Sequence, residues 1–267
     1  MCEPEGGVCV REILRIEDVC LTYQAENGQV TALEKVSFHA AQGEQIAIVG
    51  PSGCGKSTLL SIIAGLEAPT RGKIYLEGEL ISGVNEKIGY MLQKDNLLGW
   101  RTIRSNVLLG LEIRRMLTRE NIAYTDDLLK TYGLEQFGDK YPSQLSGGMR
   151  QRAALIRTLA TRPELLLLDE AFSALDYQTR LKVTDDVFGI LKKVGKTALI
   201  VTHDIPEGIS MADRVIVMSP RPGRVKSIHK IELSGKDGAL ASPLQRRASP
   251  GFSGYFNTIW KELDAHV

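Results

Sequence analysis

Gly50-Pro51-Ser52-Gly53-Cys54-Gly55-Lys56-Ser57-Thr58 is the stretch on which the reading of this chain turns. It satisfies the pattern G-x-x-x-x-G-K-[ST] in full. The apolar run Glu44-Gln45-Ile46-Ala47-Ile48-Val49 before it reads as a buried strand, and the run Ser57 to Ala64 after it reads as a helix. Glycines let the backbone N–H groups turn inward around a phosphate, and the helix N-terminus adds a partial positive charge. Lys56 is expected to reach the β- and γ-phosphates and Ser57 to hold Mg²⁺. A chance glycine-rich turn ending in Lys-Ser would lack this strand and helix. The loop alone specifies binding of ATP or GTP and nothing about its use.

Composition bounds the rest. The 267 residues suffice for one large domain, or one domain with a smaller lobe. The chain is 43% hydrophobic and 24% charged, in the globular range. A formal net charge of +1 gives no global field for nucleic acid or an anionic membrane. Cys2, Cys9, Cys20 and Cys54 show no CxxC spacing, which disfavours a zinc site or disulfide framework. Cys54 within the phosphate loop suits a reducing compartment. With no apolar run of about 18 residues and no signal-peptide pattern, a cytosolic protein is expected.

Along the chain, residues 1–10 are Gly-rich and read as a flexible N-terminus. Arg15 to Tyr23 and Thr31 to Phe38 read as antiparallel strands around a turn at Asn27-Gly28. Gly72 to Leu80 reads as a hairpin and Ile88 to Leu92 as a short core strand. Helical spacing runs from about 102 to 160. Leu165-Leu166-Leu167-Leu168, Thr197 to Val201 and Arg214 to Met218 read as buried parallel strands. Strands alternating with helices imply a mostly parallel sheet covered on both faces, with ligands at the carboxyl ends of its strands. A Ser/Pro/Arg-rich linker, Ala241 to Pro250, precedes a last helix with Phe252, Phe256, Ile259 and Leu263 on one stripe. That stripe can dock on the chain's own core, the preferred reading, or meet a partner subunit.

Two further constellations carry chemistry. At the end of the Leu165–Leu168 run, Asp169 can order Mg²⁺ through its water shell, and Glu170 can polarise a water for in-line attack on a γ-phosphate. In Leu145-Ser146-Gly147-Gly148-Met149-Arg150-Gln151, Ser146, Gly147 and Gly148 open a helix, a second anion site. An ordinary Ser-capped helix would leave the costly double glycine unexplained. One nucleotide could use both sites if two copies of the chain faced each other.

These motifs stand in a fixed order: Tyr23, Gly50 to Thr58, Met91-Leu92-Gln93, Leu145 to Gln151, Asp169-Glu170, Ser173-Ala174-Leu175-Asp176 and Val201-Thr202-His203-Asp204. In this the chain resembles the ATP-binding subunit of an ABC transporter, over roughly Ile13 to Val225. The resemblance implies an α/β fold: a P-loop NTPase core with a mostly parallel sheet, an antiparallel β subdomain and an α-helical subdomain carrying the signature motif. The ATP-binding domain would span 11–228, with its helical subdomain at about 95–160, and 229–267 would hold a linker and an amphipathic helix. It implies that Tyr23 stacks on adenine, that Gly50 to Thr58 is the Walker A loop and Gln93 the Q-loop glutamine. Ser146, Gly147 and Gly148 would be the ABC signature, Asp169 and Glu170 the Walker B aspartate and catalytic glutamate. Asp176 would belong to the D-loop and cross the dimer interface, and His203 would be the switch histidine at the γ-phosphate. Two copies would pack head to tail around two ATPs. Lys56, Glu170, Gln93 and His203 would serve catalysis, and Ser57, Gln93 and Asp169 would hold Mg²⁺.

Two kinds of ABC protein fit: an importer subunit docked on a membrane permease, or a soluble ATPase acting on DNA or ribosomes. About 90 residues separate Lys56 from Ser146, too few for an inserted coiled coil, and a single cassette is present, which favours the importer and no nucleic-acid partner. Asn96-Leu97-Leu98-Gly99-Trp100-Arg101-Thr102 resembles the "LLPW-x-T" stretch of subunits for nitrate, sulfonate and taurine, with Gly99 where that branch often has Pro. Met218 to Val225 resembles the same branch's "SxRPGR" turn. Trp100 is either a core aromatic or part of a groove for a permease coupling helix. The resemblance further implies a peripheral position on the cytoplasmic membrane face, with an extracytoplasmic solute-binding protein as an indirect partner.

Overall fold

The structure is a computed structural model that describes residues 11–25, 28–173, 175–233 and 241–264. The expected flexible segment 1–10, Asn27 of the expected turn and Ala174 lie outside these residues. Strands β1 (Glu12–Ala25), β2 (Gly28–Ala41) and β3 (Gln45–Val49) come first, then helix α1 (Lys56–Ile63). Strands β4 (Arg71–Leu76), β5 (Glu79–Leu80) and β6 (Ile88–Met91) precede four helices: α2 (Ile103–Val107), α3 (Leu109–Ile113), α4 (Arg119–Thr131) and α5 (Gly147–Ala160). The chain continues through β7 (Leu165–Asp169), α6 (Tyr177–Val194), β8 (Thr197–Val201), α7 (Ile205–Met211), β9 (Arg214–Met218), β10 (Val225–Lys230), α8 (Pro243–Arg247) and α9 (Phe252–Asp264).

The main sheet runs β10-β9-β3-β8-β7-β6, with five strands parallel and β10 antiparallel at one edge. The apolar runs of β3, β7 and β8 are buried along their whole length. Alternate side chains enter different cores. Leu165 and Leu167 pack toward the antiparallel sheet β2-β1-β4-β5, whereas Leu166 and Leu168 pack with α5 and α6. A strand covered on both faces has no position for a polar residue until its end, which is why these runs read as continuous rather than alternating. The α/β core, the antiparallel sheet and the α2–α5 helices match the architecture expected from the sequence.

Two elements were not anticipated. β10 alternates half-buried and exposed residues, as an edge strand does, and offers no apolar run to detect. The expected boundary at 228 falls inside it. In the expected linker, Ser242 and Gln245 form a capping box ahead of α8, with Pro243 in the first turn. Those start signals stand in the sequence, but five residues are too few for a periodic stripe. Among the described residues, no helix is long and apolar enough to cross a membrane.

The C-terminal stripe docks on the chain's own core. Ile259 is fully buried among Val49, Ile205, Ile209 and Val217, and Phe252, Phe256 and Leu263 pack around it. α7, beneath α9, carries an acid into the interior: Glu207 is 2% exposed. Burial pushes its carboxyl up to about 7, and the Asp204 carboxylate adds to this, against the pull of Arg180, a Thr202 hydrogen bond and Arg247. A carboxyl raised in the folded state costs nothing below its unfolded value of about 4.3; it destabilises increasingly as pH rises, fully above the folded value.

Truncating Ile259 to Ala should cost about 2–5 kcal/mol, read as a lowered denaturant midpoint, because it opens a cavity under α9. Glu207→Gln should raise the melting temperature at pH 8, by roughly 2–4 °C for each kcal/mol recovered. Near pH 4.5 the variant and the parent should melt together, and a constant offset across this range would refute the assigned cause.

Candidate active site

Each element of the site leaves the carboxyl end of a parallel strand. The phosphate loop follows β3, Gln93 follows β6, Asp169 ends β7 and His203 follows β8. Because the order is β3-β8-β7-β6, these four ends are consecutive neighbours, so segments up to about 150 residues apart in the chain converge on one cleft.

The phosphate loop closes onto α1 through Gly55, whose φ of 104° lies in the left-handed region. A Cβ there would also stand 2.7 Å from Leu33 Cδ2, so a side chain is excluded on both counts. Lys56 is almost entirely buried, and its Nζ donates to the carbonyls of Gly50 at 2.8 Å and Pro51 at 3.1 Å. Its cation is thus folded back over the loop and held by neutral acceptors rather than by a carboxylate. Cys54 is buried under the loop, and desolvation pushes its thiol up.

Ser57 Oγ donates to Asp169 Oδ1 at 3.0 Å, and the Tyr90 hydroxyl donates to Asp169 Oδ2 at 3.3 Å. Burial pushes the Asp169 carboxyl up, and the neighbouring Glu170 carboxylate contributes, while the two hydrogen bonds and Lys56 oppose. Burial and the Asp169 charge push the Tyr90 hydroxyl up to about 12, so it remains a donor. Asp169 forms no ion pair with Lys or Arg among the described residues. A buried carboxylate beside a serine hydroxyl, short of a cation, is the donor set of a hard divalent ion such as Mg²⁺. Gln93 Nε2 lies 3.3 Å from both Glu170 Oε2 and Ser173 Oγ.

Glu170 is turned away from Asp169 by its backbone. Its φ of 45° is left-handed, at a cost of roughly 1–2 kcal/mol for a residue with a side chain. The amide is anchored to the Val201 carbonyl at 2.9 Å. This turn brings Oε2 to 3.3 Å from His203 Nδ1 as well as to Gln93, so three expected catalytic side chains meet on one oxygen. The cleft beside them has a volume of about 380 Å³ and is lined by the phosphate loop, Gln93, Asp169 and Glu170. Tyr23 stands at the other end of the loop. Its hydroxyl donates to Glu67 at 2.9 Å and is within reach of Thr58 and of the charge on Arg221.

Ser146, Gly147, Gly148 and Asp176 do not line this cleft. Ser146 caps α5 by accepting from the Met149 amide, and Asp176 caps α6 by accepting from the Thr179 amide at 3.0 Å. The double glycine also has an account within one chain. A Cβ at Gly148 would stand 3.0 Å from Val183 and 3.1 Å from Thr179 on α6, and one at Gly147 would stand 3.0 Å from Leu175. Small residues here therefore let α5 pack closely on α6 and on Leu175, a second reason for glycine beside the expected anion site. Trp100 is 76% exposed, which removes the core-aromatic reading. Asn106 builds the turn beneath it, accepting from the Leu98 amide and donating to the Leu98, Arg101 and Thr102 carbonyls.

One lining residue escaped the sequence reading. Arg221, at the carboxyl end of β9, faces the phosphate loop and donates from Nε to the Gly53 carbonyl at 3.3 Å. The rule that ligands gather at carboxyl ends would have flagged the loop after β9; the sequence offered it only as a resemblance to an importer-branch turn, with no site role.

Comparison with known proteins agrees with this geometry. The family model described as ABC transporter matches residues 33–173. The ABC transporter ATP-binding protein YtlC of Bacillus subtilis (strain 168) is 49% identical over 94% of this chain and 96% of its own length. The taurine import ATP-binding protein TauB of Ruegeria pomeroyi is 39% identical over 90% of each chain. Among solved structures, a dimeric post-hydrolysis state of the ATP-binding cassette MJ0796 bound to ADP and Pi superposes with a TM-score of 0.71 at 33% identity, covering 82% of this chain and 99% of the other. With its phosphate loop, paired acids and histidine assembled along the carboxyl ends of one sheet, this chain belongs to the ABC transporter family and carries an ABC ATPase domain.

Proposed function

We propose that the chain is the ATP-hydrolysing subunit of an importer, working as a head-to-tail dimer that drives uptake of a small taurine-, sulfonate- or nitrate-like solute through a separate permease. The observation that carries this is a cleft complete in phosphate-binding and acid–base groups, while Ser146, Gly147, Gly148 and Asp176 stand outside it. A second copy supplies what one chain cannot bring to its own nucleotide. The dimeric state of the MJ0796 cassette with ADP and Pi and the import role in the name of TauB support the reading.

In this mechanism, Lys56 gives up the Gly50 and Pro51 carbonyls for the β- and γ-phosphates, and the phosphate-loop amides hold the same oxygens. Ser57 and Asp169 would hold Mg²⁺, which neutralises developing charge on the phosphates when bound. Tyr23 stacks on the base. Glu170 accepts a proton from the water whose oxygen attacks γ-phosphorus as the bridging bond to the β-phosphate breaks. His203 and Gln93, both on Glu170 Oε2, orient that carboxylate and the water. Gln93 also connects the cleft to the surface: the segment after it is tied to α5 by Arg150–Asp95 and by Arg157 on the Asp95 and Asn96 carbonyls. The exposed apolar side chains Leu92, Trp100, Ile113, Met116 and Leu117 suit a permease helix, which would keep the subunit on the cytoplasmic face of the membrane.

Glu170→Gln should lower ATP turnover about 10²–10⁴-fold while ATP binding persists. With hydrolysis blocked, ATP should shift the purified variant from monomer to dimer on size exclusion. Near-normal turnover, or a monomer at saturating ATP, would overturn the respective half of the proposal. Loss of taurine or nitrate uptake on inactivating this chain in its host tests the solute class.

A further inference from the structure

The mechanism above leaves one cleft residue without a task. The loop after β9 turns back over the phosphate loop, and Arg221 stands at its tip beside Gly53. We propose that Arg221 is a nucleotide-phosphate ligand, supplying a second cation from the outer lip of the cleft opposite Lys56. This rests on the nucleotide-binding reading just given and extends it to a residue of the Met218–Val225 turn, to which the sequence assigned no role in nucleotide binding.

Three observations carry the assignment. First, the guanidinium is uncommitted. Nε donates to the Gly53 carbonyl, but among the described residues its other two nitrogens have no hydrogen-bond partner and no carboxylate pairs with it. Arg224, three residues on, is by contrast paired with Glu34 at 2.7 Å. A guanidinium presents five N–H donors in a planar fork that matches phosphate oxygens, so an unpaired one on a phosphate-binding loop is chemically suited to that anion.

Second, the loop is held in place. The Gly223 amide donates to the Ala32 carbonyl and the Glu34 amide to the Gly223 carbonyl, each at 2.9 Å. The Arg224 amide donates to Ser219 Oγ at 3.0 Å. A Cβ at Gly223 would stand 2.0 Å from the Cys54 carbonyl oxygen, so the two loops touch backbone to backbone. Arg221 therefore projects from a backbone already fixed beside the phosphate loop, so binding need not order the loop. Third, Arg221 is hydrogen-bonded to Gly53 of the phosphate loop and lines the same cleft as Lys56, Ser57 and Thr58, with Tyr23 near enough to feel its charge. A nucleotide stacked on Tyr23 with its phosphates in the loop passes beside this guanidinium.

The test is equilibrium binding of MgATP to the full chain, followed with a fluorescent ATP analogue, for the parent, Arg221→Ala, Arg221→Lys and Lys56→Ala. Losing a charge-assisted hydrogen bond to phosphate corresponds to a Kd raised about 10- to 100-fold in Arg221→Ala, with partial recovery in Arg221→Lys, which keeps the charge but not the fork. The melting temperature without nucleotide separates binding from scaffolding. Since Arg221 is exposed, it should be unchanged in Arg221→Ala. A Kd within twofold of the parent, or a loss of affinity matched by a lower nucleotide-free melting temperature, would overturn the inference. If Lys56→Ala abolishes binding while Arg221→Ala binds like the parent, only this inference fails. If the parent does not bind MgATP, the functional reading fails with it.

Discussion

The hydrogen bond from Ser57 Oγ to Asp169 Oδ1 joins residues 112 apart in the chain, and the site depends on the geometry behind it. Ser57 is carried by the loop after β3 and Asp169 by the end of β7, with β8 lying between those two strands. Parallel pairing sets Ile48 opposite Val201 and Val201 opposite Asp169, so the three strands end at one level. Burial on both faces enforces this register. A slip of one residue would exchange Leu166 and Leu168 for Leu165 and Leu167 between two differently shaped cores.

Consequences follow for charge. The cleft sets two adjacent carboxylates, Asp169 and Glu170, against the single buried cation of Lys56, and the left-handed turn at Glu170 separates the acids by task. Asp169 remains buried beside Ser57 and Tyr90, where a divalent cation would relieve its desolvation. Glu170 moves out to meet His203 and Gln93. The backbone strain is therefore located at the residue that the proposed mechanism makes the proton acceptor. Lys56, with neutral carbonyls as partners, can exchange them for phosphate without breaking an ion pair.

The two helix starts at Ser146 and Asp176 show how one pattern serves two ends. Within a chain they are ordinary caps, and Gly148 is small because α6 passes close by. These structural roles suffice for the residue types and do not compete with a role in a dimer, because Ser146 itself is exposed.

Much was legible before folding. The phosphate loop, the Leu-rich strand with its paired acids, and the histidine after β8 are each local patterns whose chemistry is confined to a few residues, and each lies where the pattern implied. β10 and α8 were not legible, because an edge strand needs no apolar run and a five-residue helix shows no period. Arg221 was hidden for a related reason: a charged residue in a Pro-rich turn is unremarkable until the neighbouring strand order is known. The sequence by itself determined which residues can bind phosphate, order a metal and take a proton, since those capacities belong to side-chain type and immediate backbone context. Only the tertiary structure decided which of them share a cleft and which face outward, because convergence of distant strand ends depends on parallel register and two-sided burial, which no local window contains.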